Sequence, residues 1–402
     1  MIRSLLPMFF NYMRRIPELV FRIIVNLIYS FFRLFPIEEK LIIFASERDY
    51  SDNSFALYEF IHSHYPEYHF VWATLEKNKY NNDERTKFIY HPYKFTFGSA
   101  WYISRAKYIF YTHGLGCDLK IRREQIVINL WHGIAIKGKK GGYNKSKPTF
   151  SYSIYLGDMN KKTQAMFLGC DEKYLLPLGY PRNDLMLNNK SNGYANPFVP
   201  SGFKGKVVVW MPTFRKSISK YLSEDRCETY TGLPLFNSLN DLIILNDYLE
   251  SIDVCVIAKI HHLQAQNEVF TLKFSRIIFV TDNDLLRNNI QLYQMLGKTD
   301  ALLTDYSSVY IDYLLLDRPI GFILDDFEDY IRSRGTFLFE KVKDIMPGYH
   351  IYEMKQLFLY LKEVSNNIDS TKILREKLLD SMITFQDNKS CERICKFCNL
   401  NN

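Results

Sequence analysis

Asp300-Ala301-Leu302-Leu303-Thr304-Asp305-Tyr306-Ser307-Ser308 is an apolar run that empties into hydroxyls and backbone N–H groups, with a helical pattern behind it in Val309, Tyr310, Leu314 and Leu315. The run predicts a short strand and the spacing after Ser308 predicts a helix. A strand that turns straight into a helix puts the helix N-terminus, with its unpaired donors and partial positive charge, at the mouth of a parallel sheet. Phosphate groups are held there in α/β proteins. A serine at this place is also an ordinary helix cap, so the reading depends on what the other strand ends carry.

Working outward, short apolar runs alternate with helical segments. Candidate strands fall at 41–45, 69–73, 87–90, 108–111, 126–130 and 153–156, then at 207–210, 254–258, 277–280, 301–304 and 320–324. Between the two series, positions 187–206 hold the turn formers Asn188, Asn189, Asn192, Gly193, Pro197, Pro200 and Gly202. That composition predicts a domain boundary. Strands alternating with helices predict parallel sheets covered on both faces. The expected fold is α/β, two Rossmann-like domains facing a cleft, over 37–195 and 196–385. A helical stretch near 355–400 is expected to cross back over the first domain, with 386–402 as a tail.

The expected strand ends carry polar clusters. The strand at 126–130 runs into Trp131-His132-Gly133-Ile134-Ala135-Ile136, and the one at 254–258 into Lys259-Ile260-His261-His262. The strand at 207–210 leads to Met211-Pro212-Thr213-Phe214-Arg215, and a further turn reads Gly179-Tyr180-Pro181-Arg182-Asn183-Asp184. One histidine at such a place is commonly a structural hydrogen-bonder. Two from opposite halves, with Arg182, Lys259 and a phosphate-type turn, predict a site for an anionic phosphorylated ligand and for proton transfer. Asp312, four residues beyond Ser308, shares its helix face and is placed either to meet a ligand hydroxyl or to favour the helix dipole.

The 402 residues carry a net charge of +7, and apolar residues make up 47% of the chain, enough for two packed interiors. Basic residues are spread out except for Lys137, Lys139, Lys140, Lys145 and Lys147, a Gly-rich loop suited to guiding an anionic acceptor. No zinc-finger spacing, RNA-recognition signature or repeat is present, which argues against a dedicated nucleic-acid binder. Seven scattered cysteines argue for a reducing compartment, and Cys391, Cys395 and Cys398 lack a nearby fourth ligand for zinc.

Positions 1–36 differ from the rest. Arg15, Glu18, Arg22, Asn26, Ser30 and Arg33 fall on one narrow stripe of a helix that is otherwise apolar. Its longest uncharged run, 23–32, has ten residues, against roughly 20 needed to span a bilayer. An amphipathic helix lying in the cytoplasmic membrane interface is expected; a buried helix packed on the catalytic body is the other reading, and the two can coexist.

Taken in order, Trp131-His132-Gly133, Gly179 to Asp184, Pro212 to Arg215, Lys259 to His261, and Thr304 to Ser308 with Asp312 resemble the CDP-glycerol glycerophosphotransferase family. This is the family of teichoic-acid primases and polymerases, with capsule-polymer relatives. Asp317-Arg318-Pro319-Ile320 and Arg334-Gly335-Thr336-Phe337 extend the likeness, which covers roughly 40–385. The chain departs from the family's usual pattern at Ile134-Ala135-Ile136, Met211 and His262.

The resemblance implies the B-type glycosyltransferase architecture and peripheral attachment to the inner membrane face. It also implies transfer of a polyol phosphate from a CDP-activated donor to a polyol-phosphate, glycan or lipid-linked acceptor, with release of CMP. By match, His132 is the implied base and His261 stabilises charge on the diphosphate. Gly133, Ile134, Ala135, Ile136, Arg182, Pro212, Thr213, Lys259, Ile260, Ser307, Ser308 and Asp312 are implied donor contacts. No tightly bound cofactor is expected, Mg²⁺ entering with the substrate if at all. A nucleotide-sugar glycosyltransferase of the same architecture and a non-catalytic nucleotide- or polymer-binding protein stay open as other readings.

Overall fold

In the computed structural model the described residues are 23–46, 49–92, 95–115, 121–138, 149–213, 231–260, 268–334 and 337–400. The chain divides into two compact units. One comprises 1–132, 149–153 and 395–402, the other 133–148 and 154–394.

The first sheet holds β1 (Glu38–Ala45), β2 (His69–Thr74), β3 (Thr86–Tyr90), β4 (Ala106–Tyr111), β5 (Ile126–Asn129), β6 (Tyr152–Ile154) and β7 (Leu175–Leu176), in the order β3-β2-β1-β4-β5-β6-β7. The second holds β8 (Lys206–Met211), β9 (Val254–Lys259), β10 (Ile277–Val280), β11 (Ala301–Thr304), β12 (Ile320–Ile323) and β13 (Tyr349–Ile351), in the order β10-β9-β8-β11-β12-β13. The registered ladders run parallel, for example Ala301 against Val208 and Leu302 against Ile320. Each sheet starts in its middle, winds one way and then reverses, the Rossmann order, with the reversal between β1 and β4 and between β8 and β11.

The strand sequences explain the layering. All residues of β9, β11 and β12 are buried, as continuous apolar strands must be when helices cover both faces. In the second unit the helix Leu239–Ser251 begins at Ser238, whose hydroxyl accepts from Asp241 N while the Asp241 carboxylate accepts from Ser238 N. It turns Leu242, Leu245 and Leu249 onto the sheet beside Trp210 and Val256. Each such leucine contributes ~1.5–3 kcal/mol by burial.

In the first unit, 23–32 is helical. Tyr29 is buried there, and Phe32 and Phe35 meet Trp101 edge-on at 5.3 and 5.1 Å. Ile23, Ile24, Leu27 and Phe31 remain exposed on it, as does Leu34 just beyond its end, at 80%. The expected stripe residues Arg15, Glu18 and Arg22 lie outside the described residues. No helix among the described residues is long and apolar enough to cross a membrane. The chain end belongs to the first unit, where Tyr108 Oη donates to the Cys398 carbonyl (3.2 Å) and Phe397 lies edge-on to Tyr152.

Candidate active site

In the first unit a polar turn follows directly where β5 stops. Asn129 turns its side chain forward and accepts from Trp131 N (2.9 Å), while Asn53 Nδ2 donates to the carbonyls of Leu130 (3.0 Å) and Trp131 (2.8 Å). These three bonds hold Trp131 at φ +56°, in the left-handed region that bulky residues avoid. Trp131 is buried and His132, next in the chain, is exposed. The His132 ring contacts Trp131 (centroids 4.4 Å apart) and stacks on His113 at 4.7 Å, planes 15° apart. His113 follows β4 and has no place among the residues expected from the sequence, although the strand-end reasoning that picked His132 applies to it equally.

In the second unit the residues expected at strand ends form three groups. The first joins distant motifs. Gly133 has φ +139°, and a Cβ built on it would lie 2.7 Å from Ser308 Oγ and 3.5 Å from Arg182 Nη2. Only glycine fits, in both conformation and space. Arg182 enters the helix Pro181–Asn188 and sends Nη2 to Asp312 Oδ2 at 2.7 Å. Tyr293 Oη donates to the same oxygen (2.9 Å), and the Arg182 guanidinium lies over the Tyr293 ring at 4.5 Å and near Tyr180 at 5.2 Å.

Both partners of this ion pair are buried, Arg182 at 4% and Asp312 at 1% exposure. Burial pushes the Asp312 carboxyl above the ordinary range, with Arg182 opposing it. The sequence left Asp312 between a ligand hydroxyl and the helix dipole. Its carboxylate instead faces inward as the counter-ion of Arg182, because the short helix Val309–Tyr313 is buried along its whole length. Arg182, expected to grip phosphate through two donors, has Nη2 bonded to that carboxylate.

The second group sits at the β8/β11 reversal. Asp305 accepts from Thr213 N (2.8 Å), from the Thr213 hydroxyl and from Tyr306 N (2.6 Å). Thr304 Oγ1 donates to the Met211 carbonyl (2.9 Å). The loops carrying Pro212 and Thr213 and carrying Ser307 and Ser308 are thereby tied together. Pro212 is buried, and Ser307 and Ser308 are half-buried.

The third group ends β9. Lys259, nearly buried, pairs through Nζ with Asp282 Oδ1 (2.8 Å) and donates to the Ile260 carbonyl. Ile260 is buried. His261 lies outside the described residues, as do His262, Phe214 and Arg215.

Ile134, Ala135 and Ile136 are buried. Ile136 O accepts from Leu338 N (2.9 Å), and Lys137 pairs antiparallel with Phe337. These three side chains pack inside the unit, so a ligand could reach this segment only at its backbone. Of the basic run, Lys137 lies 5.5 Å from the Tyr330 ring, and Lys139, Lys140, Lys145 and Lys147 lie outside the described residues. Asp184 accepts from Ser390 N and Cys391 N at 3.0 and 2.8 Å, which caps the helix Ser390–Phe397. Burial raises its carboxyl, and those bonds oppose the shift.

Asn53, Tyr293 and His113 were missed by sequence reasoning, and Asp305 was given no role. Asn53 and Tyr293 act from helices 78 and 19 residues from their partners, with no local pattern to mark them.

Comparison with known proteins adds the following. The family model described as CDP-Glycerol:Poly(glycerophosphate) glycerophosphotransferase matches residues 27–399. The chain is 28% identical over 300 residues to a teichoic acid ribitol-phosphate primase of Bacillus spizizenii, covering 69% of this chain and 70% of that one. It is 25% identical over 385 residues to a teichoic acid poly(glycerol phosphate) polymerase of Bacillus subtilis, covering 89% of this chain but only 48% of that one. The chain thus spans about half the length of that polymerase. Among solved structures it is similar to the wall teichoic acid polymerase TagF, H548A, with a TM-score of 0.73 at 21% identity, covering 98% and 97% of the two chains. That likeness speaks to the fold.

Proposed function

The chain belongs to the CDP-glycerol:poly(glycerophosphate) glycerophosphotransferase family, and from that membership we propose that it transfers a polyol phosphate from a CDP-activated donor to an acceptor hydroxyl, releasing CMP. The observation that carries this reading is the packing of Gly133 on Ser308 and Arg182. It joins three motifs far apart in sequence, each implied by the family resemblance to contact the donor, Ser308 at its diphosphate.

The chemistry follows from the residues. An acceptor hydroxyl is a poor nucleophile, so His132 takes its proton as the oxygen attacks the donor's β-phosphorus. The new oxygen–phosphorus bond forms as the bond to the bridging oxygen breaks, and the electron pair leaves on CMP. General-base help of this kind contributes ~10²–10⁴-fold in rate. Ser307, Ser308 and the neighbouring N–H groups hold the diphosphate, supported by Asp305. His261 and Lys259 stabilise the charge that builds on the departing phosphate. Arg182 contributes positive potential beneath Ser308, and Asp312 and Tyr293 fix its position.

The exposed apolar residues of helix 23–32 and Arg33 support a second element of the proposal, attachment to an anionic membrane surface. Pelleting with anionic but not zwitterionic vesicles checks it, and equal pelleting with both removes it.

The deciding experiment offers CDP-glycerol, CDP-ribitol and several nucleotide sugars with membrane extract and identifies the nucleotide released. CMP from a CDP-polyol is expected, with His132→Ala abolishing turnover while donor binding persists. Release of a nucleoside diphosphate would replace this reading with glycosyl transfer. Donor binding without turnover by any donor would indicate a binding protein.

A further inference from the structure

The first sheet reverses its winding between β1 and β4, and ligands of doubly wound sheets gather at the strand ends flanking such a reversal. There β4 ends in Tyr111-Thr112-His113-Gly114, a segment tied down on both sides of the histidine. Before it, Thr112 N donates to the Ala45 carbonyl (3.0 Å), the Thr112 and Ser54 hydroxyls meet at 2.7 Å, and Ser54 N donates to the Thr112 hydroxyl (3.1 Å). After it, Gly114 takes φ +152°, which favours glycine, and its carbonyl meets His91 Nε2 at 3.2 Å. His91 is fully buried, and burial pushes its imidazole down to about 4. It is therefore neutral at pH 7, with one ring N–H to give to that carbonyl. Between these two anchors the half-buried His113 ring lies face to face with His132, centroids 4.7 Å apart and planes 15° from parallel.

We propose that His113 is a positioning residue, whose ring, carried on a backbone anchored at the β1/β4 reversal, holds the exposed imidazole of His132 in the orientation from which it takes the acceptor proton. The proposal rests on His132 acting as base. The His132 ring is bounded by the Trp131 indole on one contact and by the face of His113 on another, and a reacting group displaced by ~1 Å costs on the order of 10²-fold in rate. The flat face of His113 contributes to that restraint. Its anchors are side chains and carbonyls buried within the same unit, so the restraint is present before any substrate arrives.

The test uses the full chain with His113→Leu, which keeps bulk but loses the flat ring, and His113→Phe, which restores a ring. Should the leucine variant not fold, His113→Asn takes its place. The ringless variant is expected to lose roughly 10–100-fold in kcat, with KM for the donor little changed and the phenylalanine variant recovering most of that loss. In parallel, ¹H–¹³C spectra of histidine-labelled protein report the ring protons of His132, assigned by their disappearance in His132→Asn. These resonances are expected to move in the ringless variant and to stay near their wild-type positions with phenylalanine. Unchanged kcat, unmoved His132 resonances, or equal damage from both substitutions would overturn the proposal. The spectra need no turnover, so a wild type without CMP release would defeat the functional reading and still leave the stack measurable.

Discussion

Replacing Asp312 separates a ligand contact from a buried counter-ion. The carboxylate is 1% exposed and its partner Arg182 4%. Deleting one member of such a pair strands the other charge in a low-dielectric interior, at ~3–5 kcal/mol. Asp312→Ala should cost that much, because Arg182 and Tyr293 both lose their acceptor. Asp312→Asn keeps an acceptor oxygen and should fall at the lower end. Tyr293→Phe removes one hydroxyl bond to a charged group, worth ~1.5–3 kcal/mol, but keeps the aromatic face 4.5 Å from the guanidinium. The double variant Arg182→Met with Asp312→Leu exchanges the pair for apolar groups of similar bulk and should cost only the ~1–3 kcal/mol of taking the acceptor from the Tyr293 hydroxyl. Arg182→Met alone and Asp312→Leu alone each strand the partner charge, so their costs should add to far more than that of the double, with a coupling of about 3 kcal/mol or more. Urea unfolding with a check on the slope measures each cost, and CMP release from the double variant shows what loss of Arg182 does to turnover. Additive costs, or Asp312→Asn raising only a substrate KM at unchanged stability, would refute the counter-ion assignment and return Asp312 to the ligand.

Gly133→Ala should destabilise by ~1–3 kcal/mol, because φ +139° is nearly closed to residues with a Cβ. Ser308→Ala in the same chain removes the oxygen 2.7 Å from that Cβ but leaves the backbone penalty, so thermal melts of the double variant should stay below those of Ser308→Ala alone. Full recovery would mean that contact, and not conformation, selects glycine. A third expectation concerns His91, whose imidazole is pushed from 6.5 down to about 4. The unfolded chain binds this proton near pH 6.5 and the folded chain only near pH 4, so the stability it contributes is complete above pH 6.5 and lost as pH falls toward 4, up to ~3 kcal/mol. His91→Gln keeps an N–H for the Gly114 carbonyl but cannot titrate, so the gap between wild type and variant should widen with rising pH between 4 and 6.5. A constant gap across that window would contradict a neutral buried His91.

The strand reading succeeded because parallel strands buried on both faces are continuous apolar runs, and Val-Val-Val-Trp at 207–210 or Ala-Leu-Leu-Thr at 301–304 has no other use in a folded chain. It missed β7 and β13, with two and three residues, which are too short to show a pattern. In the candidate site, strand-end position told which backbone segments to examine but not which way a side chain turns. Ile134 to Ile136 and Asp312 sit in the segments that the sequence picked out and face inward, Asp312 because helix Val309–Tyr313 is buried along its whole length. Asn53 and Tyr293 were beyond reach for another reason. Asn53 acts on the turn after β5 and Tyr293 on an ion pair between two other helices, and an asparagine or a tyrosine in an ordinary helix carries no sign of what the fold brings beside it.

The turn at Trp131 shows why such unmarked residues matter. A bulky residue at φ +56° costs on the order of 1–3 kcal/mol and persists only where its surroundings over-determine it. Asn53 and Asn129 do so with three hydrogen bonds to consecutive peptide groups, all in the buried zone at the end of β5. The reversal takes the chain from a fully buried Leu130 to an exposed His132 within two residues, the indole of Trp131 being left inside. An extended continuation of β5 would alternate faces and stay under the helices covering the sheet. The strain is therefore what brings an imidazole to the surface directly at a strand end, and Asn53 is as much a part of that device as the Trp-His-Gly motif itself.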